Sequence, residues 1–465
     1  MKTASLRLRP RARRASGLVV VILVCSVCSD GSAVARSFDA QPAAAGIHYV
    51  RQGATGAATG ADWANAWPTL PATLIRGDTY YIADGPYPGY TFNDPETGSL
   101  TITLKKATTS DHGTSIGWQP GFGDGQAVFG GWEVHTDFYV FDGQQRNADW
   151  ETGAIDAYGL RVKVTGGKAI RLDDGNGNGA DDLIFRYVDV EGGGRDTGDS
   201  GSDVIYGLTG NSNITFQYCA LHDSNRTILL MRGNWRNLTI DHCYLARNAS
   251  DAAVHGEIVS TTDSQDVVFS NNIIEDPEGT AVWAFINDGL ATNWRIYGNV
   301  ILHSPGYDRE GISGVIFCAN DASNANICDD FTIVNNTLWG IEGLWSGFII
   351  QAGSGHVVQN NLWYASVRTA NGFDGVLSHN WYYATVQDGD ASPSKVVCTT
   401  GCDVFVDPAG RDFRLRVAIE PGATLNAPFQ IDPDGKGRGG DGSWDRGAYE
   451  YVPGSPRAYL PLVQK

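Results

Sequence analysis

The sequence has little of what a helical protein needs, and little charge of either sign. It holds 2 methionines in 465 residues, and 18% of its positions are charged. Long runs of Ala, Leu, Glu and Lys are absent, which argues against an α-helical fold. Sparse charge beside 42% hydrophobic and 11% aromatic residues also excludes a disordered chain, which lacks the apolar surface to offset its ordering entropy. Basic residues are the scarcer ions, 34 against 52 acidic ones, for a net charge of −18. That field repels nucleic acid and anionic membranes, so a polyanionic partner would need a locally basic groove. What is plentiful is glycine, 58 residues without a collagen period, a sign of many tight turns. The composition fits an all-β chain, and such folds can reach this length as one unit.

No apolar run is long enough to span a bilayer comfortably. The nearest, Leu18–Val27, follows Lys2, Arg7, Arg9, Arg11, Arg13 and Arg14 and precedes Ala33-Val34-Ala35. That order reads as a cleaved signal peptide over residues 1–35. Its removal leaves 28 basic and 51 acidic residues, a formal charge of −23. A secreted, extracellular monomer with no membrane span and no nucleic-acid partner is expected. Six cysteines remain, an even count that permits disulfides in an exported protein. Cys318/Cys328 and Cys398/Cys402 are close enough in sequence to bridge short loops. No spacing matches a zinc site with its histidines.

Self-similarity sets the architecture. One pattern recurs at Leu183–Val188, Ile214–Cys219, Leu238–Cys243, Val267–Asn272, Trp294–Asn299, Phe331–Asn336, His356–Asn361 and Gly375–Asn380, with starts 19 to 37 residues apart. Alternating apolar residues lead into a two-residue polar step and a second short apolar run. Loops therefore vary while a strand–corner–strand unit stays constant. The sixth position reads Val188, Cys219, Cys243, Asn272, Asn299, Asn336, Asn361, Asn380. Asparagine tolerates the left-handed backbone of a tight corner, and its amide can bond the same amide one coil away. Cys219 and Cys243 share that corner, as a stacked thiol pair or an inter-coil disulfide.

This run of asparagines resembles the ladder of right-handed parallel β-helix proteins, the pectate-lyase-like superfamily. Tyr49–Arg51, Ala61–Trp67 and Gly77–Tyr87 look like the cap and first coil of such proteins, and Phe405–Leu415 and Asp432–Glu450 like their closing segment. The resemblance implies an all-β solenoid with three strands per coil. Residues 36–135 form the N-terminal cap and first coils, 136–385 the ladder-bearing repeats, 386–452 the closing segment, and 453–465 a linker with an apolar tail. It also implies a polysaccharide partner, although the scaffold carries lyases, hydrolases and inert adhesins alike.

In polysaccharide enzymes of this fold the groove usually follows the strand preceding each repeat motif. At the start of those strands Lys168, Asp203, Arg226, His255 and Glu257 fall within about two positions of one another on successive coils, stacked at roughly 4.8 Å. An acid, a fixed cation and an imidazole there suit β-elimination from an acidic glycan, with His255 or Lys168 as base and Arg226 offsetting developing charge. Asp203 and Glu257, about 9–10 Å apart on that spacing, instead suit an inverting glycoside hydrolase, which uses about 6.5–9.5 Å. The same residues would also serve as a salt bridge and a turn histidine on a non-catalytic glycan-binding or spacer protein. Arg171, Arg232, Asn287, Asn320, Arg309 and Trp345 are the expected substrate contacts, with turn chemistry the competing explanation for the asparagines. The remaining tryptophans fall on strands and read as core.

Asp174, Asn176, Asn178 and Gly179 match the start of a calcium loop, with Asp182 beyond. The terminal glutamate is missing, since Phe185 stands at position twelve. Calcium is the one cofactor the sequence suggests; Asp432, Asp434 and Asp445 are a second place for it.

Overall fold

Alternation with period two, broken at fixed corners, winds the chain into a right-handed parallel β-helix. The computed structural model describes residues 45–249, 256–309, 311–321, 325–341, 346–365, 374–383 and 390–453. The expected signal peptide, His255, Trp345 and the apolar tail lie outside them. A complete coil contributes one strand to each of three parallel sheets, which hold 13, 12 and 9 strands. Sheet A runs from Ile47–Val50 to Gly375–Ser378, sheet B from Gly85–Tyr87 to Val396–Cys398, and sheet C from Tyr90–Phe92 to Ser346–Ile350. One coil reads Leu183–Arg186 in sheet A, Val188–Glu191 in B and Asp203–Gly207 in C, before Ser212–Gln217 returns to A. Among the described residues no helix is long and apolar enough to cross a membrane.

Strict register stacks like on like in the core. Phe141, Phe185 and Phe216 are successive partners in sheet A, with ring centroids 4.7 and 4.6 Å apart. Trp283, Trp294 and Trp363 are buried in the interior as their positions predicted, while Trp381 is buried beneath the closing segment on the outer face of sheet B.

The ladder forms at the corner between sheets A and B. Asn272 donates from its side-chain amide to Asn299, Asn299 to Asn336, Asn336 to Asn361 and Asn361 to Asn380, at 2.9 to 3.0 Å. The other amide hydrogen goes to a backbone carbonyl in each case, for example Asn299 to Phe269 at 3.0 Å. The ladder asparagines do not themselves take the left-handed backbone expected of them. The left-handed backbone belongs to the residue before each ladder asparagine, such as Asn271 at φ 58°, Gly298 at 67° and Asn335 at 54°. The ladder residue itself turns inward, where its amide replaces water as hydrogen-bond partner. Cys219 and Cys243 continue the corner as buried free thiols, while Cys318–Cys328 and Cys398–Cys402 are disulfides.

The closing segment folds back over the outer face of sheet B. Phe405, Phe413 and Tyr449 join Trp150 and Tyr158 against Tyr244, Leu302, Leu362 and Trp381. Arg446 donates to the carbonyls of Asn380, Ser394 and Pro421 at 3.0, 3.1 and 2.8 Å.

Beside this seal sits a buried ionic chain. His222, shut off from solvent, holds Asp189 through Nε2 at 2.7 Å and Asp223 through Nδ1 at 2.5 Å. Arg161 supports Asp189 at 3.1 Å, and Arg247 grips Asp223 at 2.8 Å. Burial pushes the imidazole pKa down, but Asp189 and Asp223 outweigh it and raise it to about 9. A raised folded pKa contributes stability fully present below the unfolded value near 6.5 and lost as pH climbs through about 9. The wild type should therefore lose on the order of 3 kcal/mol over that window. Unfolding midpoints at pH 6 and pH 10 check this: His222→Gln should flatten the decline, and parallel declines would refute it.

Candidate active site on sheet C

Two of the three outer faces offer little chemistry. One outward line of sheet A runs Thr103, Val140, Ile184, Thr215, Thr239, Val268 and Arg295, and the charges of the line beside it are paired, Lys105 to Asp111 at 2.5 Å, Arg186 to Asp142 at 3.3 Å and Asp241 to His242 at 2.8 Å. Sheet B is covered by the closing segment. A cleft of about 600 Å³ at that cover is lined by Arg146, Trp150, His242, Arg411, Arg414 and Asp434. Arg414 is held there by Glu151 and Asp434 at 2.8 and 2.6 Å and Arg411 by Glu275, while Arg146 lies over the Trp150 ring and donates to the His242 carbonyl at 2.6 Å.

Sheet C differs. Ile170, Ile205, Leu229 and Val259 are successive partners facing the core. Alternation therefore turns Arg171, Tyr206, Leu230 and Ser260 outward in one line. Lys168 lies directly opposite Asp203. Backbone bonds from Val204 to Thr227 at 3.1 Å and from Ile228 to Glu257 at 3.2 Å bring the next two strand starts alongside. The predicted grouping of Lys168, Asp203, Arg226 and Glu257 thus exists.

Within it, charges are sorted by depth. Asp203 has no exposed side-chain surface and accepts from Arg226 with both oxygens, one contact measuring 2.8 Å. Glu257 and Asp173 are equally deep, each about 1% exposed. Their cations lie further out: Arg226 keeps 25% of its side chain in solvent and Arg171 33%. Burial depresses Arg226, but Asp203 more than compensates and holds the guanidinium charged. Burial likewise depresses Arg232, which Glu257 and Asp203 oppose and Arg226 reinforces. The same burial pushes Asp203 up against the pull of Arg226 and Lys168. What solvent meets is a basic patch of Lys168, Arg171, Arg226 and Arg232 on an acidic protein. Glu133, opposite Arg171, and Asp199, whose carboxylate accepts from Gly167 and Gly201 at 2.7 and 3.0 Å, border it.

At its centre stands Tyr206, which sequence reasoning passed over. Lys168 Nζ lies 4.8 Å from the ring centroid and the Arg171 guanidinium carbon 5.9 Å. Its half-buried side chain makes no hydrogen bond to another described residue. The available signal was period two: Tyr206 follows core-facing Ile205 in a strand that begins at Asp203.

Other expected contacts lie elsewhere or are engaged. Arg171 donates to Asp173 at 2.9 and 2.6 Å while still bordering Tyr206, and Arg232 reaches Ser260 at 3.5 Å. Arg309 is clamped by Asp196 at 2.7 and 2.6 Å and by Glu278, an ion-pair network rather than an outstretched contact. Asn287 is exposed with φ 60°, and Asn320 closes a loop by donating to the Asn326 carbonyl at 3.1 Å. Both are turn residues at the far ends of sheet C strands.

The calcium loop is closed by its own donors. Asp174 accepts from the Asn176 and Asn178 backbones at 2.7 and 3.1 Å and from the Asn178 amide at 2.7 Å. Those bonds hold its carboxyl far below the usual range. Asp182 accepts from Asn213 one coil on, at 3.0 Å. Asp434 is likewise paired to Arg414. Amide nitrogens thus occupy the positions where calcium needs oxygens, and the loop does not fit the ion. Among the described residues no three His, Cys, Asp or Glu side chains gather as metal ligands.

No protein-family model matches the sequence, and neither does any curated protein. Among solved structures the chain is similar to the pectate lyase Pel9A, at 16% identity over 87% of this chain and 96% of that one, with a TM-score of 0.48. It is also similar to the PL6 family polysaccharide lyase Pedsa3628 from Pseudopedobacter saltans, at 12% identity over 77% and 94% of the two chains and a TM-score of 0.32. A third is the catalytic unit of a GH87 alpha-1,3-glucanase from Streptomyces thermodiastaticus, at 12% over 70% and 61%, TM-score 0.30. The stacked parallel sheets themselves show the right-handed parallel β-helix architecture.

Proposed function

We propose that the protein is a secreted polysaccharide lyase that cleaves an acidic glycan by β-elimination on the outer face of sheet C. One observation carries the reading: a chain of net charge −18 gathers Lys168, Arg171, Arg226 and Arg232 on one sheet face and buries the carboxylates beneath them. A uronate carboxylate meets complementary charge there. Lys168 removes the proton from C5, and Arg171 and Arg226 offset the negative charge that grows on the carboxylate. The C4–O4 bond breaks as the C4–C5 double bond forms, and the leaving oxygen takes up a proton.

An inverting hydrolase on Asp203 and Glu257 is less well served. Asp203 spends both oxygens on Arg226 without reaching solvent, so it is poorly placed to activate water. A spacer would have no need to collect cations on one face.

The test is a panel of uronate and neutral polysaccharides, read for ultraviolet absorbance of unsaturated ends and for new reducing ends, with and without a chelator. Absorbance on a uronate polymer is expected. Reducing ends without absorbance would point to hydrolysis, and silence across the panel to a non-catalytic role.

A further inference from the structure

Elimination needs a proton donor for the leaving oxygen as well as a base, and the basic patch offers one group of suitable chemistry at its centre. We infer that Tyr206 protonates the leaving oxygen and, acting from the same sheet face as Lys168, restricts the site to 1,4-linked uronates whose C5 hydrogen and O4 lie on one side of the ring. This rests on the lyase reading above.

Geometry carries the inference. Tyr206 and Lys168 project from neighbouring coils of one sheet, with the ammonium nitrogen 4.8 Å from the ring centroid. A pyranose wedged between base and acid would need van der Waals contact on both faces, about 7 to 8 Å in all. That room is missing, so both groups must address the sugar from the same side. The hydrogen at C5 and the oxygen at C4 then leave together from that side, a syn elimination. The D-manno and D-gluco uronates have this relation, whereas in the D-galacto and L-gulo uronates the two groups are anti.

Protons balance over the cycle. The Lys168 amine gains the C5 proton, the electron pair of that bond becomes the C4–C5 double bond, and the C4–O4 pair leaves with oxygen. Tyr206 gives its phenolic proton to that oxygen, and the ammonium then returns a proton to the phenolate. Tyr206 faces Lys168, Arg171 and Arg226 together with Asp173 and Asp203. Burial, followed by the two carboxylates, raises the phenol above its ordinary value against the arginines, which keeps the proton on the donor at neutral pH.

Wild-type enzyme would be given polymannuronate, glucuronan, polygalacturonate and polyguluronate, and initial rates of unsaturated-end formation compared. Rates on the first two should exceed those on the last two about 100-fold or more. Faster cleavage of the galacto or gulo polymer would overturn the syn assignment and leave the lyase reading standing. Absence of unsaturated product from all four would sink the lyase reading itself. Tyr206→Phe should lower kcat on the preferred polymer roughly 100-fold or more, with KM within about threefold. On a uronate carrying a nitrophenoxide at C4, which leaves without a proton, the variant should match the wild type. Equal losses on both substrates would make Tyr206 a structural residue. The polymer comparison uses unaltered protein, so it decides the stereochemistry even if the variant folds poorly.

Discussion

Lys168→Met is expected to lower turnover on the preferred uronate polymer by about 10²- to 10⁴-fold, the range in which a positioned general base contributes. The reasons are local. Lys168 starts a strand whose partner begins with buried Asp203, and its ammonium lies over Tyr206 and takes part in no ion pair among the described residues. Arg171 and Arg226 each already hold a carboxylate. Lys168 is therefore the basic group whose removal leaves no buried charge uncompensated, so folding should be preserved while chemistry is lost. Methionine keeps most of the aliphatic stem over the tyrosine ring. Initial rates at saturating substrate, alongside an unfolding curve, check it. Activity within tenfold of wild type would remove Lys168 as the base.

Arg226→Met is expected to lower stability as well as activity. It strands Asp203, which has no solvent access, and breaking a buried pair from one side costs about 3–5 kcal/mol. Adding Asp203→Leu should recover much of that loss, because the pair together is worth far less than either charge alone in the interior. A solenoid coil contacts chiefly its neighbours, so the effect should be local. Hydrogen exchange at the Val204 amide, which donates to the Thr227 carbonyl at 3.1 Å, should quicken in the single variant and slow again in the double. Unchanged exchange in Arg226→Met would show that Asp203 finds another partner.

The fold was legible because its signal is a constant offset. Eight corners share a sixth position, and five asparagines in succession there, from Asn272 to Asn380, leave no other simple explanation than a ladder. The strands preceding each motif were legible for the same reason. Depth was not. Asp203, Arg226 and Glu257 appear in sequence as three charged residues at strand starts, and only the bends of successive coils decide that the acids sink and the arginine stays near solvent. Tyr206 was invisible to a search for charged groups, although period two from Ile205 places it outward. The cover on sheet B was beyond reach because it joins residues far apart in the chain: Ala448 donates to Thr337 at 3.0 Å across 111 positions. Arg309 and the Asp174 loop show the opposite error. Residue types suited to ligands were present, but Glu278 and Asp196, from other coils, had already taken Arg309, and the neighbouring Asn178 amide had taken Asp174.

The removal of residues 1–35 would deepen the net charge from −18 to −23, an apparent obstacle to an anionic substrate. Sorting by depth resolves it, because long-range repulsion is screened within about 10 Å at 0.1 M salt while the patch acts at contact. Association with a uronate polymer should accordingly be slow at low ionic strength and quicken as modest salt screens the bulk field.

The most direct measurement is the fate of solvent oxygen during cleavage. Digesting the preferred uronate polymer in heavy-oxygen water and weighing the products separates the two chemistries without reference to any residue. Elimination on the Lys168–Tyr206 face predicts products whose masses sum to that of the substrate, with an unsaturated end and no heavy oxygen. One heavy oxygen fixed per bond cleaved, with saturated ends, would contradict it.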